Sequence, residues 1–190
     1  VAVGYLQLAK DHPGDPEHIR KIEESLERMD DLIESILARA QSGRSPNREP
    51  LSLETTVKNA WGNVRTVSAS VEINADRHLS ADSGQLLQLF ENLFRNSIEH
   101  GGEDVKIIIE TTPSGFFISD DGPGIPESRR EDVFNQGVTY ADQGTGYGLS
   151  IVSNVVAAHN WSIAVAESES GGARFEISGV DFHQEPVIHN

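Results

Sequence analysis

Residues 82–122 read DSGQLLQLFENLFRNSIEHGGEDVKIIIETTPSGFFISDDG. Leu86, Leu89, Phe90, Leu93, Phe94 and Ile98 recur at three- and four-residue intervals. That spacing is the apolar stripe of an amphipathic helix. Asp82 or Ser83 suits its N-cap, and Gly101 its end. VKIIIETT, then Pro113-Ser114-Gly115, then GFFISDDG predicts a β-hairpin. Outward from this pair, residues 53–67 predict a helix with Leu53, Val57, Trp61 and Val64 on one face. Residues 71–75 (VEINA) alternate like a strand. Residues 125–147 predict a loop with a short helix, residues 148–160 a further helix, and residues 161–180 a second hairpin. The pattern predicts an α+β domain over residues 51–180. Its helices lie on one face of a mixed, largely antiparallel sheet, as an α/β sandwich.

Before this domain the pattern changes. Residues 1–11 read as the end of a helix, residues 11–16 (DHPGDP) as a turn, and a second helix runs from Asp15 or Pro16 to about Ala40. Ile19, Ile22, Leu26, Met29, Ile33 and Ile36 follow the heptad seam of a helical bundle. Burying each is worth roughly 1.5–3 kcal/mol. Residues 1–42 therefore predict a helical hairpin that pairs with a second copy as a four-helix homodimer, the alternative being packing against its own chain. Residues 43–50 read as a polar linker and residues 181–190 as a polar, frayed tail. A chain opening on Val1 reads as an excised fragment.

Composition excludes several functions. The chain lacks cysteine, which rules out disulfides, thiolate chemistry and Cys-based zinc sites. No apolar run approaches membrane-spanning length. The formal net charge is −15, from 30 acidic and 15 basic residues. Such a surface repels nucleic acid and anionic membranes. It fits solubility in very high salt, where screening quenches self-repulsion, better than an ordinary acidic surface.

Three groups of residues carry chemistry. Asn92 and Asn96 share one helix face at i and i+4. Their amide oxygens suit a divalent cation already bearing phosphate oxygens, although two asparagines alone can equally be solvated or structural. Asp120 ends a strand in Ser-Asp-Asp-Gly-Pro-Gly-Ile-Pro, residues 119–126. A carboxylate there can accept a hydrogen bond from an exocyclic amine, and Gly122 and Gly124 let a base approach the backbone. An ordinary β-turn explains the same residues when they are taken alone. Gly144-Thr145-Gly146-Tyr147-Gly148-Leu149 runs into a helix, and a glycine-rich helix start can cradle phosphate. It is neither a Walker A loop nor a good dinucleotide fingerprint.

The order of the three is more specific than any one. Here the sequence resembles the histidine kinases of the ATPase family that also includes gyrase B, Hsp90 and MutL. Asn92 to Asn96 resembles the N box, Asp120 to Gly124 the G1 box, Phe134 the F box and Gly144 to Gly148 the G2 box. Residues 1–42 resemble part of the dimerisation and histidine-phosphotransfer domain. The resemblance implies the Bergerat ATP-binding fold, with ATP and Mg²⁺ as cofactors. It implies that Asn96 holds Mg²⁺ with help from Asn92, and that Asp120 reads adenine. Gly122, Gly124, Ile125, Phe134 and His100 would shape the nucleotide pocket. Gly144, Thr145, Gly146, Tyr147, Gly148 and Leu149 would form the hinge and phosphate end of a lid. It implies transfer of the γ-phosphoryl group to a histidine, then to a response-regulator aspartate. It also implies a cytoplasmic location, with membrane attachment only through other segments.

The sequence departs from the family in four places. None of its seven histidines sits in a phosphoacceptor motif, so that histidine is expected upstream of Val1 and the chain alone should not phosphorylate itself. Glu99 stands where many members place Lys. His100 stands where an aromatic often lies. Ala173 replaces a frequent Thr or Ser. Two other readings remain open: an ATP hydrolase of the gyrase type and a non-catalytic dimerisation or docking module. The hydrolase needs an acid where Asn92 stands, and Glu91 points about 100° away around the helix. His78, His159, His183 and His189 are expected at the surface or an interface. Trp61 and Trp161 are expected as core anchors.

Overall fold

A computed structural model describes residue 17, residues 19–22, residues 25 and 29, and residues 45–135 and 148–183. From Glu49 the order is β1 (Glu49–Ser52), α1 (Leu53–Asn63), β2 (Ser70–Asn74), β3 (His78–Ala81), α2 (Ser83–Gly101), β4 (Lys106–Thr112) and β5 (Gly115–Asp120). After them come α3 (Gly148–Ala158), β6 (Ser162–Glu167), β7 (Ala173–Ser178) and β8 (Phe182–His183). Short 3-10 turns at Glu127–Arg129 and Asp132–Phe134 lie between β5 and α3.

The stripe read from residues 82–101 is the buried side of α2. Leu86, Leu89, Phe90, Leu93 and Phe94 are all fully buried. Asp82, not Ser83, caps the helix, its carboxylate accepting from the Gln85 amide at 3.1 Å. Such a cap is worth about 1 kcal/mol. The helix ends at Gly101 as expected, and the C-cap Gly102, at φ 98°, sends its N–H back to the Ile98 carbonyl at 3.0 Å.

The five-stranded sheet has the order β2-β4-β5-β7-β6, with β2 parallel to β4 and every other pair antiparallel. Alternate residues of the central strands face the helices, as the two-residue period of a strand requires. Ile107, Ile109, Phe116, Ile118, Phe175 and Ile177 meet the α2 stripe in one core. Phe90 and Phe116 lie 5.5 Å apart, and Trp161 meets Phe116 edge-on at 6.3 Å. Trp61 packs edge-on against Phe94 at 5.2 Å. The α+β architecture with helices on one face is thus as expected.

A second, three-stranded sheet of order β1-β3-β8 departs from the sequence reading. β1 begins inside the stretch read as linker, and Phe182 and His183 of the stretch read as frayed tail pair with Leu79 and His78. Arg77 covers the Phe182 ring, 3.8 Å from its centroid. Strands of two or four residues hold no period to read, and their bonding partners lie far along the chain.

His159 is a further correction. It is buried rather than at the surface, stacked on Trp161 at 4.5 Å. Its Nδ1 faces the Val155 carbonyl at 2.8 Å, and its Nε2 receives the Asp82 N–H at 3.0 Å. The imidazole is therefore neutral, with its proton on Nδ1. Burial holds its pKa below the ordinary value, and Arg48 acts in the same direction against the Val155 bond and Asp82.

Of the expected hairpin, residues 17, 19–22, 25 and 29 are helical, with Ile19 and Met29 exposed. The rest of residues 1–42 lies outside the described residues.

Candidate nucleotide-binding site

Helix α2, the end of β5, the β6–β7 turn and the start of α3 converge on one place. Asp120 is the last residue of β5, and only 7% of its surface is exposed. Its Oδ2 accepts from the Ser97 hydroxyl at 3.0 Å. Its Oδ1 accepts from the Gly122 N–H at 3.0 Å and the Ala173 N–H at 2.9 Å. A carboxylate held by three donors from three segments keeps a fixed aim and retains acceptor capacity, since its two oxygens offer about four lone-pair sites.

Glycines let the backbone pack closely around it. A Cβ on Gly172 would overlap the Asp120 carbonyl oxygen and stand 2.5 Å from Oδ1. Gly124 turns the chain at φ 70°, and a Cβ there would meet the Gly171 carbonyl at 2.7 Å. Gly122 lies against the Gly101 backbone. Ile125 and Phe134 are half-buried and pack on the core edge.

The expected metal-binding face lies on the same helix as Ser97. Asn92 is buried, its amide nitrogen donating to the Gln88 carbonyl at 2.9 Å. Its Oδ1 faces the first residue of α3, where a Cβ on Gly148 would stand 3.2 Å away. Asn96, one turn on, is half-buried and makes no side-chain hydrogen bond among the described residues. The asparagine face and the glycine-led helix start, 56 residues apart by the numbers of Asn92 and Gly148, are therefore neighbours. Neutral amide oxygens beside a helix N-terminus fit a hard divalent cation that carries phosphate. Among the described residues no group of three or more His, Cys, Asp or Glu side chains could hold a metal.

Other expected residues fall less centrally. His100 and Glu99 are exposed at the end of α2. Leu149 is half-buried against the core. Gly144, Thr145, Gly146 and Tyr147 lie outside the described residues. Glu91 turns toward α1, where its Oε1 accepts from Asn63 Nδ2 at 2.7 Å.

Sequence reading missed Ser97, Ser168 and Gly172. Ser168 donates to the Asp120 carbonyl at 2.7 Å and accepts from the Gly172 N–H at 2.9 Å. The Gly171-Gly172 pair just before a strand was a usable signal, since adjacent glycines there mark a close backbone approach. Ser168 gives no such signal.

Comparison with known proteins shows the family to which this fold belongs. Residues 81–183, just over half the chain, match the family described as histidine kinase-, DNA gyrase B- and HSP90-like ATPase. The two-component sensor PhoQ of Pseudomonas aeruginosa is 30% identical over 182 residues, covering 90% of this chain and 40% of PhoQ. The chain spans two fifths or less of the length of the curated relatives it matches. The catalytic domain of histidine kinase ThkA is 29% identical with a TM-score of 0.58, covering 70% of this chain and 97% of that domain. Full-length ShkA, solved in complex with AMPPNP, shares the fold at 22% identity and a TM-score of 0.68, over 90% of this chain and 40% of ShkA. The matched stretch contains α2, the Asp120 strand end, the Gly148 helix start and the β6–β7 turn, and the chain belongs to the histidine kinase-, DNA gyrase B- and HSP90-like ATPase family.

Proposed function

We propose that this chain is the Mg-ATP-binding catalytic core of a protein-histidine kinase in a two-component system. It would deliver the γ-phosphoryl group to a histidine on a segment outside this sequence, for onward transfer to a response-regulator aspartate. The observation that carries the reading is the Asp120 carboxylate, fixed by Ser97, Gly122 and Ala173, with the Gly172 backbone packed directly against it.

In this reading Asp120 accepts the 6-amino proton of adenine. Ser97, the Gly122 N–H and the Ala173 N–H hold the carboxylate in place. Asn96, with Asn92 behind it, offers amide oxygen to Mg²⁺, which would neutralise phosphate charge. The N-terminus of α3 adds its dipole to the same task. Catalysis would be positioning and charge neutralisation. Homodimerisation through residues 1–42 and docking of a receiver domain belong to this proposal, as does solubility at high salt.

Glu91 weighs against the hydrolase reading, because its carboxylate is engaged with Asn63 on α1. The test is a chain extended upstream to include a phosphoacceptor segment, incubated with Mg-ATP. Acid-labile, base-stable phosphohistidine is the expected product. Free phosphate without phosphohistidine would favour a hydrolase, and dimerisation without ATP binding a docking module.

A further inference from the structure

The β5–β7 ladder ends at Ser119 and Arg174, so the Asp120 carbonyl lies just past the last strand pair. A side chain from the β6–β7 turn takes over there. Ser168 is buried, with 8% of its surface exposed. Its Oγ receives the Gly172 N–H at 2.9 Å, which leaves its one proton for the Asp120 carbonyl at 2.7 Å. The turn is closed on itself by Ser168 N–H to Gly172 O at 2.9 Å and Gly171 N–H to Ser168 O at 3.0 Å. The residue after Gly172 is Ala173, whose N–H bonds Asp120 Oδ1. Ser168 thus fixes the carbonyl end of Asp120 and the turn that delivers a donor to its carboxylate.

We infer that Ser168 is a positioning residue for nucleobase recognition, setting the aim of the Asp120 carboxylate without touching the nucleotide. Loss of its hydroxyl leaves two buried main-chain groups unpaired and frees the turn. The Ala173 N–H then no longer stays on Oδ1, and the carboxylate loses its fixed direction. The damage falls on the hydrogen bond to the 6-amino group and not on phosphate or metal contacts made by α2 and α3. This inference rests on the proposed reading of Asp120.

The experiment titrates ATP and purine riboside triphosphate, which lacks the 6-amino group, with Mg²⁺ against the native chain, Ser168→Ala, Ser168→Thr and Asp120→Asn. Thermal melts accompany each titration. The native chain should prefer ATP. Ser168→Ala should lose ATP affinity about 3- to 10-fold while its affinity for the analogue changes by less than about 2-fold. Ser168→Thr, which keeps the hydroxyl, should retain the native ratio. Equal loss for both nucleotides, or no loss for ATP, overturns the inference. If Ser168→Ala does not fold, Ser168→Cys, whose thiol bonds only weakly, takes its place: a loss confined to ATP supports the inference, and equal loss for both nucleotides or none overturns it. A native preference abolished by Asp120→Asn but untouched by Ser168→Ala sinks this inference alone. A native chain with no preference, unaffected by Asp120→Asn, sinks the Asp120 reading and this one with it.

Discussion

Ser97 Oγ and Asp120 Oδ2 lie 3.0 Å apart, both buried, and this bond ties the C-terminal half of the asparagine helix to the end of the central strand. One carboxylate therefore joins α2 to β5, while its other oxygen joins β5 to β7. In the proposed reading, nucleobase recognition and the joining of helix to sheet share this one group.

Asp120→Asn keeps the shape but removes the charge. A hydrogen bond to a charged acceptor contributes roughly 1.5–3 kcal/mol, so ATP affinity should fall about 10- to 100-fold. Calorimetric titration with Mg²⁺ in molar KCl measures this. Native-like affinity in the folded variant would remove adenine reading from Asp120.

Gly172→Ala and Gly62→Ala make a matched pair. At Gly172 the new methyl overlaps the Asp120 carbonyl, and overpacking of this kind costs about 1–3 kcal/mol. ATP binding should fall with stability, because the methyl also displaces the carboxylate. Gly62 sits in α1 with nothing within 4 Å of the added atom. There the substitution should stabilise by about 0.5–1 kcal/mol, read by urea unfolding.

Asn96→Ala should separate binding from folding. The side chain is half-buried and makes no hydrogen bond among the described residues, so stability should change by less than about 0.5 kcal/mol. The dependence of ATP affinity on Mg²⁺ should be lost. Titrations with and without the metal decide, and an undiminished Mg²⁺ effect would exclude Asn96 as a ligand.

His159 predicts a pH dependence. Its folded pKa is lowered, chiefly by burial, so the unfolded chain takes up the proton first as pH falls. Stability rises with pH wherever the unfolded state binds more protons. This contribution is present in full above the ordinary histidine value near 6.5 and is lost as pH falls from there toward the lowered folded value. His159→Phe should be less stable at pH 7.5, since the Asp82 N–H loses its acceptor, but should show a shallower slope between pH 7 and 5.5. Identical slopes in denaturant unfolding would contradict this assignment.

The net charge of −15 predicts salt-stabilised folding. The Debye length shrinks from about 10 Å at 0.1 M salt to about 3 Å at 1 M, which quenches self-repulsion across the surface. The melting temperature should rise from low to molar KCl. A flat or falling curve would count against a surface suited to high salt.

Helix α2 and the hairpin of β4 and β5 were legible because their information is local. Leu86 to Ile98 repeat within a few turns, and Thr112 to Gly115 hold their own turn chemistry. Asn92, Asn96, Asp120 and Gly148 stood out in the sequence because two amides lie one turn apart on a helix, a carboxylate ends a strand and a glycine starts a helix, in an order that resembles the family's. The buried bonds of Ser168 were not legible, because a serine in an acidic hairpin turn reads as solvated polar chain.

The sequence by itself determined the helical and strand periods of the main layers, the absence of thiol chemistry and the candidacy of Asn92, Asn96 and Asp120. Only the tertiary structure decided that Glu49–Ser52 and Phe182–His183 flank His78–Ala81 as a sheet. It alone buried His159 against an N–H 77 residues away, and set Ser168 and Ala173 on Asp120 from 48 and 53 residues away. The physical reason is one of range. Side-chain periodicity records which face of an element is apolar, whereas a hydrogen bond between distant segments exists only after the core has brought them together.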